Sequence, residues 1–221
     1  MEKIIFDDNL MFKKKSSGKN GTCYLTTDKV VFKNSLNLKI EILEKLSNIY
    51  TNFFIFPKKL VYSKDNILIG YIMDYVDGVT IKNLNRSFDM SKYLNDIKRL
   101  EYEISMITLY NVSIIDAGIN NVIFDNNDNI KIIDTDFYNV SKKYCNTFIQ
   151  NEHALSYTLL YPFIDIYDYK FSNDSLNKYL NYLKDNRIKI SSFIEEVNDK
   201  LVKNDLYSDD AYIYKRNIRL L

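Results

Sequence analysis

The sequence predicts an α+β protein, with strands in the first part of the chain and helices in the second. Short apolar runs separated by turn-forming clusters predict five strands between residues 10 and 73, interrupted by one helix. Beyond residue 90, apolar residues recur with helical spacing. A run of strands followed by a run of helices is typical of α+β architectures.

The first part is predicted to contain three strands, one helix and two further strands. The helix is predicted from Leu36 because apolar residues recur along one face through Tyr50. Clusters of Ser, Gly, Asn, Asp and Thr separate neighbouring strands. The five predicted strands cover residues 10–15, 23–26, 29–33, 59–62 and 67–73.

The second part is predicted to be mainly helical. Apolar residues from Tyr93 to Leu109 have the spacing of one long amphipathic helix. Neither repeats nor low-complexity linkers interrupt the pattern, which predicts one domain of two lobes, residues 1–76 and 77–221. Further helices are predicted over residues 152–164, 173–185 and 190–204.

Composition limits the class of protein. The chain has 221 residues, of which 46% are hydrophobic, with 19 Tyr and 13 Phe, and this argues against disorder. The formal net charge is +1, so bulk electrostatics gives no reason to expect nucleic acid or an anionic membrane as a partner.

The cysteines and the first residues bear on the compartment. Cys23 and Cys145 are too few for a disulfide framework and lack metal-site spacing, which indicates a reducing compartment. The first ten residues include acids where a signal peptide needs an apolar run. We therefore expect a cytoplasmic protein, and secretion into a host as an effector stays open.

Residues 114–137 are the most informative segment. They contain Asp116, then Asn121 five residues later, then Asp134 after two β-like runs. Phosphoryl transfer needs a carboxylate that orients the acceptor hydroxyl, and an amide and a carboxylate that hold Mg²⁺ against nucleotide phosphates. The segment resembles the H-R-D-x-x-x-x-N and D-F-G loops of the protein-kinase-like superfamily. The resemblance implies that Asp116 is catalytic and that Asn121 and Asp134 bind the metal.

Two segments nearer the start resemble further motifs of that family. Gly18, Gly21 and Cys23 have the spacing of the glycine-rich loop G-x-G-x-x-G-x-V, in which backbone N–H groups approach phosphates. Lys33 ends a run that resembles V-A-I-K, which implies that it contacts the α- and β-phosphates. A hairpin turn and an ordinary strand ending in lysine are the alternatives.

Residues 72–78 resemble the hinge V-M-E-Y-V-x-G of the same family. The resemblance implies that Met73 lies beside the adenine ring and that backbone groups of Asp74 and Val76 hydrogen-bond its edge. A strand that ends in an Asp-Gly turn is the alternative interpretation.

Together these motifs imply a bilobal protein-kinase-like fold, with a small antiparallel-sheet N-lobe containing one helix and a reduced, mainly helical C-lobe. They imply an ATP-dependent phosphotransferase that uses Mg²⁺ or Mn²⁺ and transfers the γ-phosphate to a hydroxyl, with a protein Ser/Thr as the expected acceptor. Two alternatives remain. One is a small-molecule kinase of the aminoglycoside or choline type, and the other is a pseudokinase that acts as a nucleotide-dependent binding module.

Several residues depart from the family pattern. Gly118 stands where protein kinases often have a lysine, a departure that keeps small-molecule acceptors in consideration. Asp136 follows Asp134 where D-F-G has glycine, and either adds a second carboxylate near the metal or caps a turn; we favour the cap. The helix glutamate that pairs with Lys33 in the family has no clear counterpart here, because the apolar spacing around it selects a lysine. Glu41, Glu44 or no residue is therefore expected to form that pair.

Overall fold

The computed structural model of the protein has a mixed α+β architecture, which confirms the predicted class. Its helices include α1 (Ile40–Ser47) and α2 (Met90–Leu109). Cys145 and the helix predicted over 173–185 lie outside the described residues. The structure describes residues 1–6, 12–18, 21–35, 38–84, 89–140, 150–152, 154–156, 158–159, 189–192 and 194–195.

The largest element is a six-stranded mixed sheet with the order β1-β5-β6-β4-β3-β2. Strands β1 and β5 are parallel, and all other neighbours are antiparallel. Five of the strands correspond to the five predicted from the sequence, with ends shifted by a few residues. The strands are β1 (Glu2–Ile5), β2 (Phe12–Gly18), β3 (Gly21–Thr26), β4 (Val30–Ser35), β5 (Lys59–Tyr62) and β6 (Leu68–Asp74).

Helix α1 follows β4 and buries Ile42, Leu43 and Leu46. Leu43 joins the apolar cluster on the large sheet, whereas Ile42 and Leu46 join a second cluster around α2. The helix ends at Ser47, and Tyr50 is 89% exposed. The predicted continuation of the apolar face through Tyr50 is therefore wrong.

Two small sheets are formed by strands between residues 78 and 140, one of which precedes α2. Strand β9 pairs with both β7 and β10 in a three-stranded sheet, and β8 pairs with β11 in a two-stranded one. The strands are β7 (Gly78–Thr80), β8 (Val112–Ser113), β9 (Val122–Asp125), β10 (Ile130–Ile132) and β11 (Asn139–Val140).

Helix α2 is the long amphipathic helix that the sequence predicts. It begins after Asp89, whose side chain accepts a hydrogen bond from the Lys92 N–H at 3.1 Å. Its buried face packs into the second apolar cluster, and the hydroxyl of Tyr93 donates to the carbonyl oxygen of Leu159 at 2.5 Å. The residues of this face are Tyr93, Ile97, Leu100, Ile104 and Ile107.

Two buried carboxylates of α2 hold other segments of the chain. Glu103 accepts the backbone N–H of Asn52 at 2.7 Å and that of Phe53 at 3.1 Å. Glu101 accepts the N–H of Ser191 at 2.9 Å and its hydroxyl at 2.8 Å. Because buried charge is costly unless hydrogen-bonded, these contacts satisfy both carboxylates and fix both segments against α2.

Helical residues continue beyond 140. The described residues within 150–159 and 190–195 are helical, in agreement with the predicted helices that overlap them. The remainder of the predicted spans 152–164 and 190–204 lies outside the described residues. Across the part of the chain that is described, no helix combines the length and apolar character needed to cross a membrane.

Gly70 is expected to be required for the packing of β6 against β4. A Cβ there would lie 2.2 Å from the Lys33 carbonyl oxygen and 2.6 Å from a ring carbon of Phe32. We expect Gly70→Ala to lower the free energy of unfolding by about 1–3 kcal/mol, the usual cost of overpacking, as measured by urea denaturation. Gly18→Ala is the control because a Cβ there meets nothing within 4 Å. Equal stability of the two variants would contradict this interpretation of the sheet.

Candidate functional site

The candidate site begins on one face of the large sheet. Cys23, Lys33 and Tyr71 lie opposite one another on β3, β4 and β6, and Val31 pairs with Met73 two residues along. Directly opposed residues, and alternate residues of one strand, point to the same face. The sheet therefore brings the predicted residues Cys23, Lys33 and Met73 to one side.

Lys33 is held by two carboxylates from the segment after β10. Its Nζ lies 2.5 Å from Asp134 Oδ1 and 3.0 Å from Asp136 Oδ2, and its side chain is 6% exposed. Burial alone would lower the pKa of Lys33, but the charges of Asp136 and Asp134 raise it above its usual value. Lys33 is therefore a buried ammonium group that joins β4 to this segment.

Asp136 has a fully buried carboxylate with hydrogen-bond donors on both oxygens. The hydroxyl of Ser35 donates to Oδ2 at 2.6 Å, and the hydroxyl of Tyr71 donates to Oδ1 at 2.6 Å. Burial and the Asp136 charge raise the pKa of Tyr71 well above its usual value, so this hydroxyl stays protonated. The turn-cap role favoured for Asp136 is wrong, because its oxygens are engaged by Lys33, Ser35 and Tyr71.

The helix glutamates do not supply the partner of Lys33. Within the described residues, the acidic groups paired with Lys33 are Asp134 and Asp136. Glu41 is exposed and Glu44 is half-buried, because α1 turns its apolar residues towards the core. Of the alternatives left open from the sequence, a pair with Glu41 or Glu44 is excluded for this structure.

Asp116 lies in the loop between β8 and β9. Its φ is 62° and that of Asp134 is 65°, a left-handed conformation that is uncommon for residues other than glycine and that clusters at functional sites. Asp116 is exposed. Partial desolvation and the nearby Asp134 charge raise the pKa of Asp116, whereas Lys33 opposes the rise. Asp116 therefore lies within electrostatic reach of the Lys33–Asp134 pair.

Asn121 ties the Asp116 loop to the strand that leads to Asp134. Its side-chain N–H donates to the Asp116 carbonyl oxygen at 2.7 Å. Its backbone N–H donates to the Gly118 carbonyl oxygen at 2.8 Å, and its own carbonyl accepts from the N–H of Ile133 at 2.8 Å. These bonds fix Asn121 to the Asp116 loop and to Ile133, the residue that precedes Asp134.

Asn121 and Asp134 can offer amide and carboxylate oxygen to a hard divalent cation. In the described part of the chain, no group of three or more His, Cys, Asp or Glu side chains could hold a metal ion alone. A metal here would therefore need further oxygen ligands from water or a nucleotide. The donor types fit Mg²⁺ or Mn²⁺ bound together with phosphate.

Two buried side chains that the sequence analysis missed support the Asp116 loop. Asn151 accepts the N–H of Ile114 at 2.6 Å and donates to the Val112 carbonyl oxygen at 2.9 Å. The Thr158 hydroxyl donates to the carbonyl oxygen of Ala117 at 2.6 Å. The residues on both sides of Asp116 are therefore fixed by the helical segment that follows residue 149.

The predicted glycine-rich loop lies where β2 ends and β3 begins. Gly18 and Gly21 pair at its base, and residues 19–20 lie outside the described residues. Gly21 has a φ of 156°, and a Cβ there would lie 2.1 Å from the Asn34 carbonyl oxygen. Of this motif, Cys23 is the member opposite Lys33, and burial raises the pKa of its thiol. Cys23 is thus a neutral neighbour of the lysine.

The predicted hinge residues lie at the end of β6 and just beyond it. Met73 is buried, Val76 is half-buried, and Asp74 forms an ion pair with Lys58 at 2.7 Å. Met73 shares the sheet face with Lys33, as described above. Among the described residues, no hydrogen bond or ion pair joins Asp74 or Val76 to Lys33 or to its partners Asp134 and Asp136.

A scan against protein-family profiles found no match to this chain, and a search of curated proteins found none either.

Proposed function

We propose that the protein is an ATP- and Mg²⁺-dependent phosphotransferase with a protein-kinase-like bilobal fold. The observation that carries the proposal is the contact between Lys33 and Asp134, whose atoms lie 2.5 Å apart although the residues are 101 positions apart in sequence. The two residues belong to separate motifs of one family resemblance, which implies phosphate binding for Lys33 and metal binding for Asp134. Their convergence beside Asp116 and Asn121 supports one phosphate-handling site.

The two apolar clusters agree only in part with a division into two lobes, because Ile42 and Leu46 of α1 belong to the second cluster. The cluster on the large sheet includes Val31, Leu60 and Met73, whereas the second cluster surrounds α2. We propose that residues 1–76 form the N-lobe and residues 77–221 the C-lobe. The candidate site would then lie where the two lobes meet, which is a frequent location of ligand sites.

Each residue of the site has a role that suits its chemistry. The buried ammonium of Lys33 binds the α- and β-phosphates, and the exposed carboxylate of Asp116 orients the acceptor hydroxyl and takes its proton. Asn121 and Asp134 present oxygen ligands to the metal, and Asn121 also fixes the Asp116 loop. Bound Mg²⁺ would neutralise phosphate charge as it develops. Most of the catalysis is thus positioning and electrostatic stabilisation.

The acceptor is proposed to be a protein Ser/Thr hydroxyl. A small-molecule alcohol is the second candidate, because Gly118 leaves space beside Asp116: the nearest atom to a Cβ there is Asp116 Oδ1, at 3.8 Å. Incubation of the protein with labelled ATP and a whole-cell lysate separates the two. Label in the protein fraction supports the first acceptor class, and label in the small-molecule fraction supports the second.

ATP with Mg²⁺ is expected to raise the melting temperature of the protein, because a ligand that binds only the native state stabilises it. Lys33→Ala should reduce this shift, since it removes the proposed phosphate contact. Lys45→Ala, on α1, is the matched control and should keep the full shift. Absence of a shift in the wild type at millimolar ATP-Mg²⁺ would argue strongly against a nucleotide site.

A further inference from the structure

We propose that Asp136, rather than a glutamate of α1, is the residue that positions Lys33 for the nucleotide phosphates. The inference rests on the phosphotransferase function proposed above. Asp136 acts through Lys33 and is a positioning residue. This role has two requirements. Asp136 must keep its ion pair with Lys33 when nucleotide binds, and its carboxylate must be held by the same strands that hold Lys33.

The two carboxylates that pair with Lys33 differ in their surroundings. The side chain of Asp134 is 28% exposed, whereas that of Asp136 is 0% exposed. Asp134 is the group proposed to turn to the metal, and its contact with Lys33 is then exchanged for phosphate. The contact between Asp136 and Lys33 cannot be exchanged in this way, because a buried carboxylate that has lost its cation strongly destabilises the protein. Asp136 therefore remains the permanent counter-charge of Lys33.

Asp136 is held by residues of β4 and β6, the strand pair that also contains and neighbours Lys33. Ser35 lies two residues after Lys33 on β4, and Tyr71 lies opposite Lys33 on β6. Their hydroxyls hold the two oxygens of Asp136 at 2.6 Å each. The ion pair is thus held by contacts from β4 and β6, and among the described residues α1 supplies no hydrogen bond or ion pair to it.

The test is a double-mutant cycle on the affinity for ATP-Mg²⁺, measured by calorimetry. Asp136→Asn keeps the size and removes the charge, and should weaken binding roughly tenfold or more, within the range of coupling between neighbouring residues. In a Lys33→Met background the same change should cause no further loss, because Asp136 acts only through Lys33. Equal losses in both backgrounds would indicate a merely structural role and overturn the inference.

The α1 glutamates provide matched controls. Glu41→Gln and Glu44→Gln remove the same charge from the helix and should leave ATP affinity unchanged. If either variant lost as much ATP affinity as Asp136→Asn, the positioning role would belong to α1 and the inference would be overturned.

A second variant keeps the test decisive if Asp136→Asn does not fold. Tyr71→Phe removes one hydrogen-bond donor to Asp136 and keeps every charge. It should weaken ATP binding several-fold only when Lys33 is present, and unchanged affinity would overturn the inference.

Failure of the inference and failure of the proposed function give different results. Wild-type protein that fails to bind ATP would reject the proposed function itself. Binding that requires Lys33 but survives Asp136→Asn would reject only the role of Asp136.

Discussion

Replacing Asp134 by Asn is expected to abolish phosphoryl transfer while leaving some metal-independent affinity for nucleotide. The substitution keeps the size and the left-handed backbone, since Asn adopts a φ near the observed 65° more readily than most residues. It removes the charge needed to hold a hard divalent cation. Turnover measured across a Mg²⁺ series, beside ATP binding with and without metal, checks the prediction.

Asp128→Asn is the matched control for that variant. Asp128 also has a left-handed φ, of 60°, and lies in the turn between β9 and β10; the carboxylates paired with Lys33 are those of Asp134 and Asp136. Asp128→Asn should retain full turnover. That result would show that the loss of turnover in Asp134→Asn comes from the position of the removed charge. Full activity in Asp134→Asn would show that the metal is held elsewhere.

The strands that carry the candidate site were predictable because their signal is local. Alternating apolar residues and turn-forming clusters locate β3 to β6, and the spacing of Tyr93 to Ile107 locates α2. Strand β1 was missed because Glu2–Ile5 has no clear alternation and is exposed along most of its length. Its pairing depends on β5, whose Lys59 also forms an ion pair with Glu2 at 2.8 Å, and a contact so distant in sequence leaves no local pattern.

The same distinction applies to the site. The motif residues Lys33, Asp116, Asn121 and Asp134 were singled out because each lies in a short segment of recognisable spacing, and the structure brings them together. The role of Asp136 was not predictable, since the hydroxyl groups that surround it come from β4 and β6. A carboxylate in a turn-forming segment most often caps the turn. Only the tertiary structure shows that the carboxylate of Asp136 is buried and paired with Lys33.

The residues that support the Asp116 loop were missed for a related reason. Thr158 lies within the helix predicted over 152–164 and Asn151 lies one residue before it, and polar residues in such a helix are normally solvent-exposed. Each instead bonds to backbone about 40 positions earlier in the chain: the separations are 37 residues for Ile114 and 41 for Ala117. The available signal in the sequence was a polar residue on the apolar face of this helix. Such a residue does not identify the backbone group to which it bonds.

Asp116→Asn is expected to lower turnover by roughly 10²–10⁴, the range that general bases and orienting groups contribute. Asp116 is exposed, and among the described residues its side chain makes no ion pair, so the substitution should leave the fold and the affinity for ATP within a few-fold of the wild type. Steady-state kinetics together with ATP binding by calorimetry would separate the two quantities. Asp128→Asn again serves as the control for a neutralised carboxylate with similar backbone geometry.

The pattern of loss in Asp116→Asn distinguishes an enzyme from a binding module. A lower rate with retained ATP binding marks an interaction made chiefly in the transition state, as expected if Asp116 takes the proton of the acceptor. An unchanged rate would remove Asp116 from the mechanism, because no other role in transfer follows from its exposed position. If the wild-type protein binds ATP through Lys33 but transfers phosphate to no acceptor, the same site instead supports a nucleotide-dependent module that regulates a partner by contact.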